Sequence, residues 1–403
     1  MRINTHCHVF TFDTFLTSAA EENLKARLTS WHLSNAAASD AIKLAKRIIF
    51  NGDTDERIAD FAKRHGLEGS SILEFLRRGC LDTVSEVTDA LMRDTVAAAG
   101  TDDVVVTPLM LDVIGDDNVT NWDKALFRNQ YEQTVLQAVR YPGRVLPFMA
   151  FNPNRADSYD WTKSALESGH CVGVKLYPSL GCDMSDQGTK QQFSKVLQLC
   201  QDFDAPVTMH CNDGGFCGPD YNNIACSPIV WEPFIENAAV RFNFAHFGDL
   251  ADPKMTAVNP TLWRDYILQL MDKFPERVYA DVSYQAGALA PAAEKAAYFG
   301  WLNNQLAQPR GRQILFGTDS FILLQAVADT TYWQFFETGL GTDFQRVAEA
   351  NPKKFLGIPQ DGASVSPGSA LERHIAFLKG KKAEPGSGFG QGAAPAAWLD
   401  GRL

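Results

Sequence analysis

Residues 3–10 read INTHCHVF, and this stretch decides the fold. A strand repeats every two residues, so His6 and His8 project from one side, their imidazoles a little over ~6 Å apart and able to converge on a single ion. Cys7 between them points the other way, as a small core-facing side chain. Two ligands on one strand need others from elsewhere in the chain. Similar apolar, β-rich runs carry His210 in VTMHC, His246 in FNFAHF, Asp319 in LFGTDS and Lys175 in VGVKLYP. A single buried histidine is usually satisfied by a hydrogen bond. Four of the chain's eight histidines, each at or near the end of such a run, indicate a metal centre instead.

Eight apolar segments read as strands: 3–10, 104–112, 145–151, 171–177, 206–211, 240–247, 278–283 and 314–319. Their β-branched content fits strands, and the pieces between them, such as KQQFSKVLQLCQDF and TLWRDYILQLMDKF, show helical periodicity. From the fifth strand onward the starts recur about every 36 residues, the length of a βα unit. The fold class is therefore α/β, a (β/α)8 TIM barrel, which gathers reactive groups at the C-terminal ends of its strands. Closure puts strand 8 beside strand 1 and brings residues 6 and 319 together.

The first connection is too long for a barrel crossover. Amphipathic pieces at AAEENLKARLTSW, SDAIKLAKRIIF, DERIADFAKRHG and LDTVSEVTDALMRDTVAAA make residues 14–100 a helical insertion. It covers the pocket, builds a subunit contact or forms an outer layer. Residues 1–13 and 101–360 then form the barrel, and 361–403 a C-terminal extension with one short helix near 370–378 and a Gly/Ala/Pro-rich tail.

With 403 residues the chain can bury a large core. A net charge of −11 and no Lys/Arg block argue against nucleic acid as a partner. MRINTHCHVF lacks the features of a secretory signal, and no apolar run reaches ~18 residues, so no membrane partner and a cytoplasmic location are expected. Eight cysteines show no CxxC pair or disulfide framework. The expected partner is a small-molecule substrate; a homodimer is an expectation from the additions to the barrel, without an interface motif.

Imidazoles and carboxylates suit zinc, with manganese and iron as alternatives. His6, His8 and Asp319 can hold one divalent metal, and His210 with His246 a second. Lys175 would bridge the two if carboxylated to a carbamate; as an ammonium it fits a one-metal site, polarising a substrate oxygen or binding a carboxylate. Asp319 has a second role as proton shuttle, His246 a role near the substrate.

This ordered set resembles the amidohydrolase superfamily, in particular its amidohydrolase-2-like branch, from strand 1 to about Ile358 with most of the insertion excluded. His6 and His8 stand at the family's strand-1 HxH, Lys175 at its strand-4 lysine, His210 and His246 at the strand-5 and strand-6 histidines, and Asp319 at the strand-8 aspartate. The resemblance implies hydrolysis of a small amide, ester or lactone, the leading expectation because ligands for a second metal are all present. Non-oxidative decarboxylation of an aromatic or unsaturated acid is the nearest alternative, and a noncatalytic metal-binding scaffold the third.

Loop positions give the expected substrate contacts: Asn152, Arg155, Tyr177, Asn212 and Tyr284, with Asn154, Ser179, Asp213, Tyr221, Asp249 and Gln285 as further candidates. Arg155 offers a bidentate fork to an anion. The DGGFCGP loop, residues 213–219, lacks the spacing of a nucleotide fingerprint. Trp231, Trp263 and Trp301 are expected only to pack against the barrel.

Overall fold

The computed structural model describes residues 1–15, 18–30, 33–51, 54–113, 121–212, 223–249, 260–360 and 363–403. Asp213, Tyr221 and the DGGFCGP loop lie outside them. Eight strands form in the order read from the sequence: β1 Arg2–Cys7, β2 Val104–Pro108, β3 Phe148–Phe151, β4 Gly173–Leu176, β5 Val207–Met209, β6 Phe242–Phe244, β7 Val278–Asp281 and β8 Ile314–Leu315. Each lies within or close to its expected segment and is shorter. The extra residues belong to the strand ends, where the backbone turns to present side chains.

β1 pairs with β2, and β3 to β8 pair in sequence, every pair parallel. Two further bridges, Val106 with Val145 and Leu109 with Phe148, join β2 to β3. The last seam is closed where Thr5 donates its backbone N–H to Phe316 and Asp319 donates to His6, at 2.9 and 2.8 Å. The result is a closed (β/α)8 barrel. Gly317 permits that seam, because a Cβ there would sit 2.6 Å from the Cβ of His6.

Helices 84–99, 121–140, 158–167, 187–202, 228–237, 260–273, 292–306 and 329–340 alternate with the strands. The first starts with a capping box, Thr83 accepting from the Glu86 N–H while the Glu86 carboxylate accepts from Thr83. From sequence this helix belongs to the insertion. In the structure it packs on β2 and on helices 121–140 and 329–340, as the outer helix of the first βα unit.

The remaining insertion helices, 18–30, 35–51, 54–65 and 72–79, share a core with Leu111 and Val113 after β2, Leu180 after β4 and Phe321 and Leu324 after β8. The insertion therefore rests on loops at the C-terminal end of the barrel. Phe75 stacks on Phe321 at 5.4 Å, two residues beyond Asp319. Ser71 ties the same loop by donating to the Gln325 carbonyl at 2.6 Å.

The C-terminal tail wraps the barrel. Gly392 donates to the Arg140 carbonyl at 2.9 Å, and the Trp398 indole to that of Gly143 at 2.9 Å. Trp231 and Trp263 are buried packing residues, and Trp301 lies under the Arg264 guanidinium at 4.5 Å. The seven described cysteines are buried, Cys7 among Val9, Val84, Val87 and Leu91. Among the described residues, no helix is long and apolar enough to cross a membrane.

Candidate metal centre

The strand ends deliver their side chains to one place. The His6 Nε2 lies 3.3 Å and the His8 Nε2 3.1 Å from the same Asp319 oxygen. Asp319 is the most exposed of the three, at 11 % against 1 % and 3 %, so it lies nearest solvent. Its backbone has φ +64°, a left-handed conformation that costs a non-glycine residue about 1–3 kcal/mol. Hydrogen bonds at both of its peptide groups, to the His6 carbonyl and from the Leu323 N–H, hold it there.

Ring tautomers follow from the partners. The Nδ1 of His8 faces only the Leu109 carbonyl, at 2.7 Å, so it carries the proton and its Nε2 a lone pair. That lone pair faces a carboxylate oxygen. Two acceptors 3.1 Å apart repel unless a proton or a cation sits with them, and the His6 Nε2 is a third group facing the same point. Atoms bound to a tetrahedral zinc at about 2.0–2.2 Å lie about 3.3–3.6 Å from one another. The observed separations approach that edge, and the donor set fits a divalent cation.

Charge distribution agrees. Burial would raise the Asp319 carboxyl, yet the His6 and His8 rings against it hold it well below the usual range. Burial lowers His8, and lowers His246 to about 4, keeping both neutral and able to donate lone pairs. His6 is raised: burial and Lys175 push it down, but Asp281 and Asp319 outweigh them.

His210 and His246 meet one another, Nδ1 to Nε2, at 3.2 Å, and the His246 ring centroid is 4.8 Å from that of His6. His246 also has a left-handed backbone, φ +60°. Tyr177 stacks on His210 at 4.1 Å and 14°. Lys175 is 1 % exposed, its ammonium 5.5 Å from the Tyr177 ring. Among the described residues its Nζ has no hydrogen-bond partner. Burial lowers it to about 8, while Asp281 and Asp319 raise it in part.

The loop positions divide. Arg155 is buried with its Nε and Nη2 each 2.6 Å from an oxygen of Asp112, so two prongs of the expected anion fork grip a carboxylate of the protein. Asn152 shapes the loop after β3, donating to the Asp112 carbonyl and accepting from the Asn154 N–H. Asp249 binds Arg264 and the Ala286 N–H. Gln285 donates to the His246 carbonyl at 2.6 Å, supporting the site from beneath. Asn212, buried beside His210, and Tyr284, with φ +47° after β7, stay at the strand ends.

Sequence reasoning missed Asp281, Ser283 and Asn243. Asp281 closes β7 with 0 % exposure, bonds His6, and completes a second potential metal cluster with His6 and His246. The signal was a carboxylate inside the apolar run VYADVS, on the same strand face as Ser283.

The profile of the amidohydrolase family matches residues 3–358. The chain belongs to that family. With the metal-compatible clusters in place, it is a metal-dependent enzyme of the amidohydrolase-2 branch. No curated protein matches it. Similar solved structures include the 5-carboxyvanillate decarboxylase of Sphingomonas paucimobilis, at 12 % identity and TM-score 0.48, covering 88 % of this chain and 98 % of that one. A probable 2-pyrone-4,6-dicarboxylic acid hydrolase of Acinetobacter baumannii aligns at 11 % and 0.45, covering 67 % and 88 %. At this level of likeness they say nothing of substrate.

Proposed function

We propose that this enzyme holds one divalent cation, zinc by donor chemistry, and decarboxylates a small aromatic or unsaturated carboxylic acid without oxidation. The supporting observation is Lys175, a buried ammonium without a hydrogen-bond partner among the described residues, placed beside a cation site. Such an arrangement is costly until an anion arrives, and a substrate carboxylate supplies one.

His6, His8 and Asp319 would hold the cation, which supplies Lewis-acid polarisation of the substrate's oxygens. Tyr177, fixed against His210, forms one wall. Lys175 meets the acid's charge and, lowered to about 8, is the proton donor best matched to neutral pH. As the bond to the carboxyl carbon breaks, its electron pair stays with the substrate carbon, which takes the Lys175 proton. Carbon dioxide leaves, and the neutral amine regains a proton from water. In this reading Lys175 acts as an ammonium, without the carbamate.

Hydrolysis of a carboxylate-bearing lactone is the second reading. It is favoured by Asp319, ionised at neutral pH and able to accept a proton from attacking water. A panel of aromatic acids, unsaturated acids and lactones tests the two. The expected result is one carbon dioxide per acid consumed and, in heavy water, one deuterium at the vacated carbon. Opening of lactones with no gas release would overturn decarboxylation, and a carboxyl increment on the mass of the Lys175 peptide would restore the bridged, two-metal site.

A further inference from the structure

Asp281 offers no lone pair to a metal. Its Oδ1 accepts from the backbone N–H groups of His246 and Ser283, each at 3.1 Å, and from the Ser283 hydroxyl. Its Oδ2 accepts from the Asn243 amide at 2.7 Å and the His6 Nδ1 at 3.1 Å. Five donors converge on a carboxylate with about four lone-pair sites. The cluster of His6, His246 and Asp281 has the composition of a metal site, but its carboxylate is fully used.

Ser283 extends the pattern. With its one proton given to Asp281, its oxygen is left to accept from the His6 Nδ1 at 3.0 Å and the His246 Nδ1 at 2.9 Å. Each ring has a second, independent constraint. The His6 Nδ1 also faces a carboxylate and the His246 Nδ1 also faces the Ser283 carbonyl at 3.2 Å, groups that only accept. Both Nδ1 atoms must therefore carry protons.

We infer that Asp281 and Ser283 are positioning residues that lock His6 and His246 together in the Nδ1–H tautomer, committing the His6 Nε2 lone pair to the point it shares with His8 and Asp319, and the His246 Nε2 lone pair to the His210 Nδ1 3.2 Å away. One hydroxyl serves two imidazoles from different strands, so the metal ligand His6 and its neighbour His246 share a single orienting device. The enzyme then needs no second cation on this side. The inference concerns metal binding and tautomers alone, so it stands or falls separately from the reaction proposed above.

The Asp281→Asn variant is the sharpest test. Its amide oxygen can keep the backbone donors, which turns the amide NH2 toward the His6 Nδ1 and favours the opposite tautomer. Zinc affinity, measured by chelator competition, is expected to fall about 10–100-fold, with an altered visible spectrum of the cobalt-loaded protein. Ser283→Ala is expected to weaken zinc less, leaving the His246 Nδ1 proton on the residue-283 backbone carbonyl alone. NMR of isotopically labelled imidazole nitrogens in the wild-type protein should show Nδ1–H for both His6 and His246, and Nε2–H for His6 in Asp281→Asn.

Zinc affinity within twofold of wild type in a folded Asp281→Asn protein would overturn the inference. So would an Nε2–H signal for either ring in the wild type, or a zinc stoichiometry that drops from two to one in the variant, which would make Asp281 a ligand. Should Asp281→Asn not fold, the wild-type NMR pattern and the Ser283→Ala affinity still decide the matter.

Discussion

At the scale of the residue, the site is built from groups that are unfavourable alone. Lys175 is the clearest case. Its folded pKa of about 8 lies below the unfolded value of 10.5, so the unfolded chain binds more protons between those limits. The buried ammonium thus costs stability, of order 3 kcal/mol below pH 8, and the cost fades as pH rises toward 10.5. Lys175→Met is expected to make the metal-free protein more stable by about 2 kcal/mol at neutral pH while abolishing turnover. In denaturant melts its advantage over wild type should shrink from pH 8 to 10.5; a pH-independent gap would count against it. Asp319→Asn keeps the shape and removes the charge shared by His6 and His8. Turnover at saturating metal is expected to fall about 100-fold or more, as steady-state kinetics would show.

Residues of this kind were legible unequally. His6, His8, His210, His246 and Asp319 are chemically conspicuous at strand ends, and the structure gathers them. Asp281 was not read, because an acid inside a strand resembles a solvent-facing position until its alternation with Ser283 is followed. Arg155 looks from sequence like an anion receptor because its partner, Asp112, lies 43 residues away in the loop after β2. Long-range pairing of that kind leaves no local periodicity.

At the scale of the element, strand existence was written plainly and strand length was not. An apolar, β-branched run marks a strand, but where pairing ends depends on the neighbouring strand and the loop's hydrogen bonds. The same limit applies to helix 84–99, whose amphipathic pattern looks alike in an insertion and in a barrel's outer ring. Helix 370–383 gives a test at this scale. His374 donates from Nδ1 to the Gly169 carbonyl at 2.7 Å, and Ala370 donates to the Phe203 carbonyl at 2.6 Å. Gly169 has φ +71°, and a Cβ there would lie 2.2 Å from the Arg373 carbonyl oxygen. Gly169→Ala is therefore expected to destabilise by about 1–3 kcal/mol from backbone strain alone, with the clash in addition. Limited proteolysis should then cut first near the displaced helix, with KM unchanged; protection equal to wild type would show the docking is not maintained by this contact.

At the scale of the whole molecule, the ligands tie the chain's beginning to its end. β1 and the segment after β8 meet at the barrel seam, and His6, His8 and Asp319 sit on its two sides. A cation bound there is a clamp across the seam as well as a reagent. Binding to the folded state alone stabilises it by about 2.7 kcal/mol at a metal concentration 100 times Kd. The gain should not be uniform. Amide exchange is expected to slow most at Thr5, His8 and Asp319, whose N–H groups cross the seam to Phe316, Ser320 and His6, and least in the tail beyond residue 384, which docks near Gly143. Chelation should reverse both the protection and a rise of a few degrees in Tm. Equal slowing at the seam and in the tail would mean that the metal stabilises the barrel without clamping its closure.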